Sequence, residues 1–359
     1  MKVMNNPKLK KLALKAQGAL VRRVVRLPKP IKRKIAGKPI TIDGQTFDLS
    51  LQVMLKLFGP PPNHLPSVAE NRADNDVQGT WLAQPDIDDI ITDEFTIDVS
   101  DGDSIRLRRY RDRHANKNNQ PALVFYHGGG YVGGSLESHH LVCQHLAADG
   151  KCMVIAVDYR RAPEYPFPTP VNDGLSAYRY IASNADKFGV DPTRLAVGGD
   201  SAGGNLAAVV AQQTKEDAYP PKLQLLWVPW VDMNHERASY ELFATGFFLE
   251  RSKMRWYTDH YLDDKTDKTN PMASPIFGDV QGVAPAVILV AGFDPLRDEG
   301  IAYADKLKEA GVETELKVYE TMPHLFPLFA GEIEVAKVAF KDATRALRGL
   351  DDVKKYQYS

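Results

Sequence analysis

Cysteine is scarce in this chain: Cys143 and Cys152 are the only two in 359 residues. They fall on a predicted helix and a predicted strand, which gives neither a disulfide framework nor the spacing of a thiolate metal site. A reducing cytoplasm is the expected setting. Long apolar runs are also missing. No stretch approaches the roughly 20 apolar residues that span a bilayer, and Lys11 and Lys15 interrupt the N-terminus where a signal peptide carries its apolar core. Residues 1–38 contain thirteen Lys or Arg but no Asp, Glu or serine. Lack of serine argues against a mitochondrial transit peptide. Lack of interleaved aromatics or a recognisable module argues against nucleic-acid binding.

What the chain does have is an ordinary enzyme composition, 43% hydrophobic and 25% charged. That is enough to bury a sizeable core, in a chain too long for one minimal domain. The basic segment carries Leu9, Leu12, Ala16, Leu20, Val24 and Leu27 at helical spacing, with Lys8, Lys11, Lys15, Arg22 and Arg26 on another face. It reads as a basic amphipathic helix ended by Pro28. Such a helix suits either the acidic remainder of the chain or an anionic membrane surface.

The chemistry is concentrated in three places. Gly199-Asp200-Ser201-Ala202-Gly203 lies between the apolar run Leu195-Ala196-Val197 and a helical segment from Asn205. The spacing predicts a sharp strand-to-helix turn with Ser201 exposed at its tip, small neighbours allowing strand and helix to pass closely. Upstream, the strand Pro121–Tyr126 runs into His127-Gly128-Gly129-Gly130. The N–H groups of Gly128, Gly129 and Gly130, with that of Ala202, are candidate donors to an oxyanion. No lysine follows the glycines, as a phosphate loop would want. Downstream, Asp294 ends the apolar strand Ala286–Ala291, and His324 lies in the loop after Glu315–Tyr319. Ser201, Asp294 and His324 fall in the order nucleophile, acid, base. Asp298 and Glu299 are rival acids, but their place in the next helix suits them to complementing its dipole. His127 reads as structural.

These blocks resemble the hormone-sensitive lipase family of α/β-hydrolases, the bacterial family IV esterases. The likeness extends over about residues 90–350 and includes Asp158-Tyr159-Arg160-Arg161-Ala162-Pro163-Glu164 and Asp294-Pro295-Leu296-Arg297-Asp298-Glu299-Gly300. It implies a serine carboxylesterase acting on short- to medium-chain esters, with no metal or organic cofactor. It also implies that the N-terminal segment belongs to a cap over the site. Thr321 and Leu325 stand where that family commonly has glycine, and Leu325 restricts the loop beside the base. A non-catalytic small-molecule-binding relative and an amidase are the alternatives.

The expected fold is therefore an α/β-hydrolase: a mostly parallel sheet, helices on both faces, and a helical cap. Residues 1–85 are expected to form the N-terminal cap segment and linker, with a helix at Leu49–Phe58 followed by a polar linker. Residues 86–359 form the catalytic domain, opening on a hairpin of Phe95–Val99 and Ile105–Tyr110. An aromatic-rich insertion at about 231–271 supplies the second half of the cap. Candidate substrate-contacting residues are Tyr131, Trp227, Trp230, Phe247, Phe248 and Leu325. His139, His140 and His145 read as a solvated helix face rather than metal ligands. A homodimer is compatible with this reading.

Overall fold

The computed structural model describes residues 7–351 apart from Pro60 and Leu325, with side chains described from Ala16 onward except at Gln78. Four helices come first: α1 (Pro7–Val25), α2 (Lys29–Ala36), α3 (Leu49–Phe58) and α4 (Val68–Trp81). A short ribbon of β1 (Thr41–Ile42) and β2 (Gln45–Thr46) lies between α2 and α3. The main sheet follows, built from β3 (Ile90–Asp98), β4 (Ser104–Asp112), β5 (Gln120–Tyr126), β6 (Met153–Asp158), β7 (Val190–Asp200), β8 (Gln224–Trp227), β9 (Ala286–Phe293) and β10 (Thr314–Pro323).

Its order is β10-β9-β8-β7-β5-β6-β4-β3. Strand β4 runs antiparallel to both neighbours, and the other pairings are parallel. The fully buried run of β9 and the nearly buried runs of β5 and β6 are the signature of parallel strands covered on both faces. Alternate residues sort to the two sides. Val124, Tyr126 and Ile155 join α6 (Thr169–Ser183), α8 (Ala202–Gln213) and α11 (Arg297–Glu309) in one core. Leu123, Phe125 and Val154 join α5 (His140–Gly150) and α12 (Glu334–Arg348) in the other. The expected hairpin is the edge pair β3–β4, where alternate exposed positions on β3 carry charge. Cys152 lies in the turn just before β6, not on the strand, and both cysteines are buried and unpaired.

Two features of the N-terminal region differ from expectation. The polar linker contains the helix α4, opened by a capping box in which Ser67 and Glu70 bond each other's backbone N–H. In α1, Leu20 is 49% exposed whereas Val21 and Val25 are buried, so the packed face is turned by about one residue from the stripe read off the sequence. Arg22 explains the turn. Its guanidinium donates to the carbonyls of Thr80, Trp81 and Ala83 and brings Gly18 against Trp81. The side chains of Leu9 and Leu12 lie outside the described residues. The insertion expected as the second cap segment holds α9 (Ala238–Leu242) and α10 (Arg251–Tyr261).

Candidate active site

Strand β7 stops at Asp200 and α8 begins at Ala202, so Ser201 must turn the chain by itself. It does so at φ 56°, ψ −119°, a region that side chains other than glycine rarely occupy. The surroundings hold it there. Its N–H donates to Trp227 O at 2.8 Å, and its carbonyl accepts from Asn205 N at 3.0 Å and Trp230 N at 3.1 Å. Gly203 permits the turn, because a Cβ there would overlap the Tyr126 carbonyl.

Beyond the ends of β9 and β10, His324 Nδ1 lies 2.8 Å from Asp294 Oδ2. Asp294 Oδ1 accepts from Leu296 N at 2.9 Å, which fixes the carboxylate against the ring. Both side chains are buried. With Nδ1 donating to the carboxylate, Nε2 carries the lone pair. His324 and Ser201 line one small cavity of about 50 Å³, shared with Gly128, Gly129, Gly130, Asp200, His139, Asn75 and Tyr257.

The glycine loop is gripped from beneath by Asp200. Gly128 N donates to Asp200 Oδ1 at 3.0 Å, and His139 Nε2 stands 3.0 Å from the same oxygen. Burial pushes the Asp200 carboxyl up, but the charge and hydrogen bond of His139 outweigh it and hold the group below its ordinary value. Burial drives His127 the other way, down to about 3, so its ring is neutral. It stacks on Tyr159 with ring centres 4.3 Å apart, and its Nδ1 is 2.9 Å from Gly128 O, a structural role as expected. The loop then turns through positive φ at Gly129 and Gly130. Among the described residues no acceptor takes the N–H of Gly129 or Gly130. Ala202, first residue of α8, presents a further amide with no intrahelical partner.

A family model for the α/β-hydrolase fold matches residues 123–328, which contain the whole of this site. The chain is an α/β-hydrolase. It belongs to the hormone-sensitive lipase, or bacterial family IV, type of that fold. This hydrolase is 39% identical to the carboxylic ester hydrolase LipN of Mycobacterium tuberculosis over 84% of its length and 82% of the relative's. It is 36% identical to an ethyl acetate hydrolase of Pseudomonas putida over 80% of its own length and 92% of that protein's. Among solved structures, an esterase from Pyrobaculum calidifontis superposes with a TM-score of 0.79 at 34% identity, covering 85% of this chain and 99% of that one.

The fold brings Ser201, His324, Gly128, Gly129 and Gly130 to one cavity, with Asp294 behind His324. It corrects Gly128 as a donor, because its N–H is already given to Asp200. Most of the expected substrate contacts are corrected too. Tyr131 is wholly buried, stacked on Tyr261 at 4.0 Å, and donates to Asn205 Oδ1 at 2.7 Å. Trp227 points to the α5–α12 side of the sheet against Phe340, and Trp230 to the α8 side. Phe247 packs among Phe47, Phe243 and Phe293. Phe248, among the described residues of this set, reaches a cavity. It lines a chamber of about 310 Å³ between the N-terminal helices and the insertion, with Gln17, Phe58, Trp81, Lys253 and Tyr257. Leu325 lies outside the described residues.

The rival acids are engaged elsewhere in this hydrolase. Asp298 accepts from Ser239 N, and Glu299, fully buried, accepts from Val231 N and Asp232 N. Seven residues at the cavity escaped the sequence reading, Gly134, Ser138 and Leu328 among them. Asn75 was hidden by the polarity of α4, although the Ser67–Glu70 box announces that helix. Asp200 could have been noticed as a charge closing an apolar strand. Tyr257 was one of many aromatics in the insertion. His139 reads as solvated but is buried, as is His145, because α5 turns them toward the sheet and toward Pro85 O.

Proposed function

We propose that this hydrolase is a serine carboxylesterase that cleaves short- to medium-chain esters through an acyl-enzyme. Ser201 is the nucleophile, His324 the general base, and Asp294 the group that orients and charges the ring. One observation carries the reading: a serine in strained left-handed backbone shares a small cavity with a histidine whose other nitrogen lies 2.8 Å from a buried carboxylate.

The reaction follows from these groups. Nε2 of His324 accepts the Ser201 proton as Oγ attacks the ester carbonyl carbon, and the carbonyl π electrons move to oxygen. The free amides of Gly129, Gly130 and Ala202 hold that oxyanion, each donor contributing roughly 2.7–4 kcal/mol. The tetrahedral intermediate collapses as the imidazolium gives its proton to the departing alkoxide. Water, deprotonated by Nε2, then attacks the acyl carbon and returns Ser201 to its starting state. Asp200 takes no proton; it fixes the loop by holding Gly128. The comparisons support the reaction class, since the similar proteins include an ethyl acetate hydrolase and an esterase.

The N-terminal helices are read as cap. Val21 and Val25 enter the core, Arg22 binds three carbonyls of the α4 end, and Arg26 pairs with Glu332 at 2.5 Å. Among the described residues no helix is long and apolar enough to cross a membrane. Two unpaired buried cysteines support a reducing cytoplasm. Hydrolysis of p-nitrophenyl acetate or butyrate, lost nearly completely in Ser201→Ala, is the expected result; unchanged turnover in that variant would remove Ser201 from the mechanism.

A further inference from the structure

Two cavities meet at Asn75 and Tyr257. The inner one, at Ser201, measures about 50 Å³. The outer one, between α1, α4 and α10, measures about 310 Å³ and has Phe58, Trp81, Phe248 and Leu249 in its walls. At about 10–15 Å³ for each water-sized group, the inner cavity has room for the carboxyl head of an ester and little of its chain. Asn75 and Tyr257 are the two residues that line both.

We propose that Tyr257 and Asn75 form a partition that sets the chain length this enzyme accepts, the chamber behind them being the space a longer chain would need. The proposal rests on the esterase reading and adds its selectivity. The partition is built from both halves of the cap. Tyr257 comes from α10 and lies so close over Gly130 that a Cβ there would overlap its ring. Its hydroxyl accepts from Asn71 Nδ2 at 3.1 Å, and Asn71 Oδ1 accepts from Asn75 Nδ2 at 3.4 Å, both asparagines coming from α4. Burial raises the Tyr257 hydroxyl to about 12, so it stays neutral and hydrogen-bonded through the working range. Helix α4 is clamped in turn. Arg72 donates to Val132 O at 2.9 Å and to Ala162 O at 3.0 Å and pairs with Glu164. A short ester fits in front of this wall. A longer one must displace a packed ring and a hydrogen-bonded pair.

Shortening the wall should therefore join the two cavities. Each methylene that gains a buried place is worth roughly fourfold in binding, so a few of them give tenfold or more. The experiment measures kcat/KM for p-nitrophenyl acetate and octanoate, and for ethyl and octyl acetate, in the unaltered enzyme and three variants. Tyr257→Ala should raise the long-to-short ratio at least tenfold in one of the two series. Asn75→Ala should raise it in the same series by about threefold, and serves alone if Tyr257→Ala does not fold. Tyr257→Phe keeps the ring and should leave the ratio within threefold. Ratios within twofold of the unaltered enzyme for both alanine variants, in both series, overturn the partition while leaving Ser201-dependent acetate hydrolysis in place. A shift in Tyr257→Phe as large as in Tyr257→Ala also overturns it, by assigning the selectivity to the hydroxyl and not to the ring's bulk. Absence of any Ser201-dependent ester hydrolysis overturns the esterase reading, and the partition with it.

Discussion

Asp294 faces His324 Nδ1 with one oxygen and accepts from Leu296 N with the other, so the carboxylate cannot rotate away from the ring. An amide in its place would keep its oxygen on Leu296 N and turn its N–H₂ toward Nδ1, which favours the wrong tautomer. Asp294→Asn should then lower kcat by about 10⁴, whereas Asp298→Asn, whose carboxylate serves Ser239 N, should lose less than tenfold. Steady-state kinetics on p-nitrophenyl butyrate separate the two, and the reverse ranking would reassign the acid. His127 makes a second residue-scale test, of stability and not of rate. Its value is about 3 when folded, against about 6.5 in an unfolded chain. Between those limits the unfolded state binds the extra proton, so this contribution is complete above about 6.5 and is lost as pH falls. From pH 6.5 to 5 the loss is about 2 kcal/mol. Asp200, held below its ordinary value, acts in a lower window, its contribution fading as pH drops beneath the normal aspartate range. Urea midpoints should fall from pH 7 to 5 in the unaltered protein and fall less in His127→Gln; parallel slopes would contradict the assignment.

At the scale of elements, the sheet and the candidate site were legible because the apolar runs of β5, β7 and β9 end beside the glycine loop, Ser201 and Asp294, and a strand end is where α/β sheets place their chemistry. Ser201, Asp294 and the glycines stand at such ends, and His324 just beyond one. Helix α4 was not legible by periodicity, since the face it buries is polar: Asn71 bonds the Tyr257 hydroxyl on α10, and Arg72 bonds the carbonyls of Val132 and Ala162, which an apolar stripe would leave unpaired. Trp227 and Trp230 misled for a different reason. Their place near a strand end was right, but the side of the sheet each faces depends on strand register, which a single sequence does not reveal. In α1 the apolar stripe was misread by one residue because tertiary hydrogen bonds from Arg22 set the helix rotation. Val21→Ala should accordingly cost about 2 kcal/mol, and Leu20→Ala, at a position 49% exposed, should change stability by less than about 0.5 kcal/mol. Urea unfolding of the two variants checks the rotation, and a larger cost at Leu20 would restore the original stripe.

On the proposed reading, the whole molecule divides its labour between a sheet that holds the reacting groups and a cap that holds the space around them. Residues 1–38 carry thirteen cations without one acid, and two physical uses compete for that charge: fixing the cap to an acidic body, or drawing the enzyme to an anionic surface. Packing of Val21, Val25 and Arg22 gives the first use a mechanism. Gln17 also lines the outer chamber, so removing this segment takes away one of its walls. Ser201, Asp294, His324 and the Asn71–Tyr257 bond belong to other segments and keep their own supports. Deletion of residues 1–38 should therefore reduce kcat/KM for acetate less than tenfold, lower the thermal midpoint by several degrees, and change the octanoate-to-acetate ratio because one wall of the chamber is gone. Co-sedimentation with anionic vesicles runs beside the kinetics. If vesicle binding is lost while stability and chain-length preference stay as they were, the segment is a membrane anchor; a changed ratio with no vesicle binding in either form makes it cap.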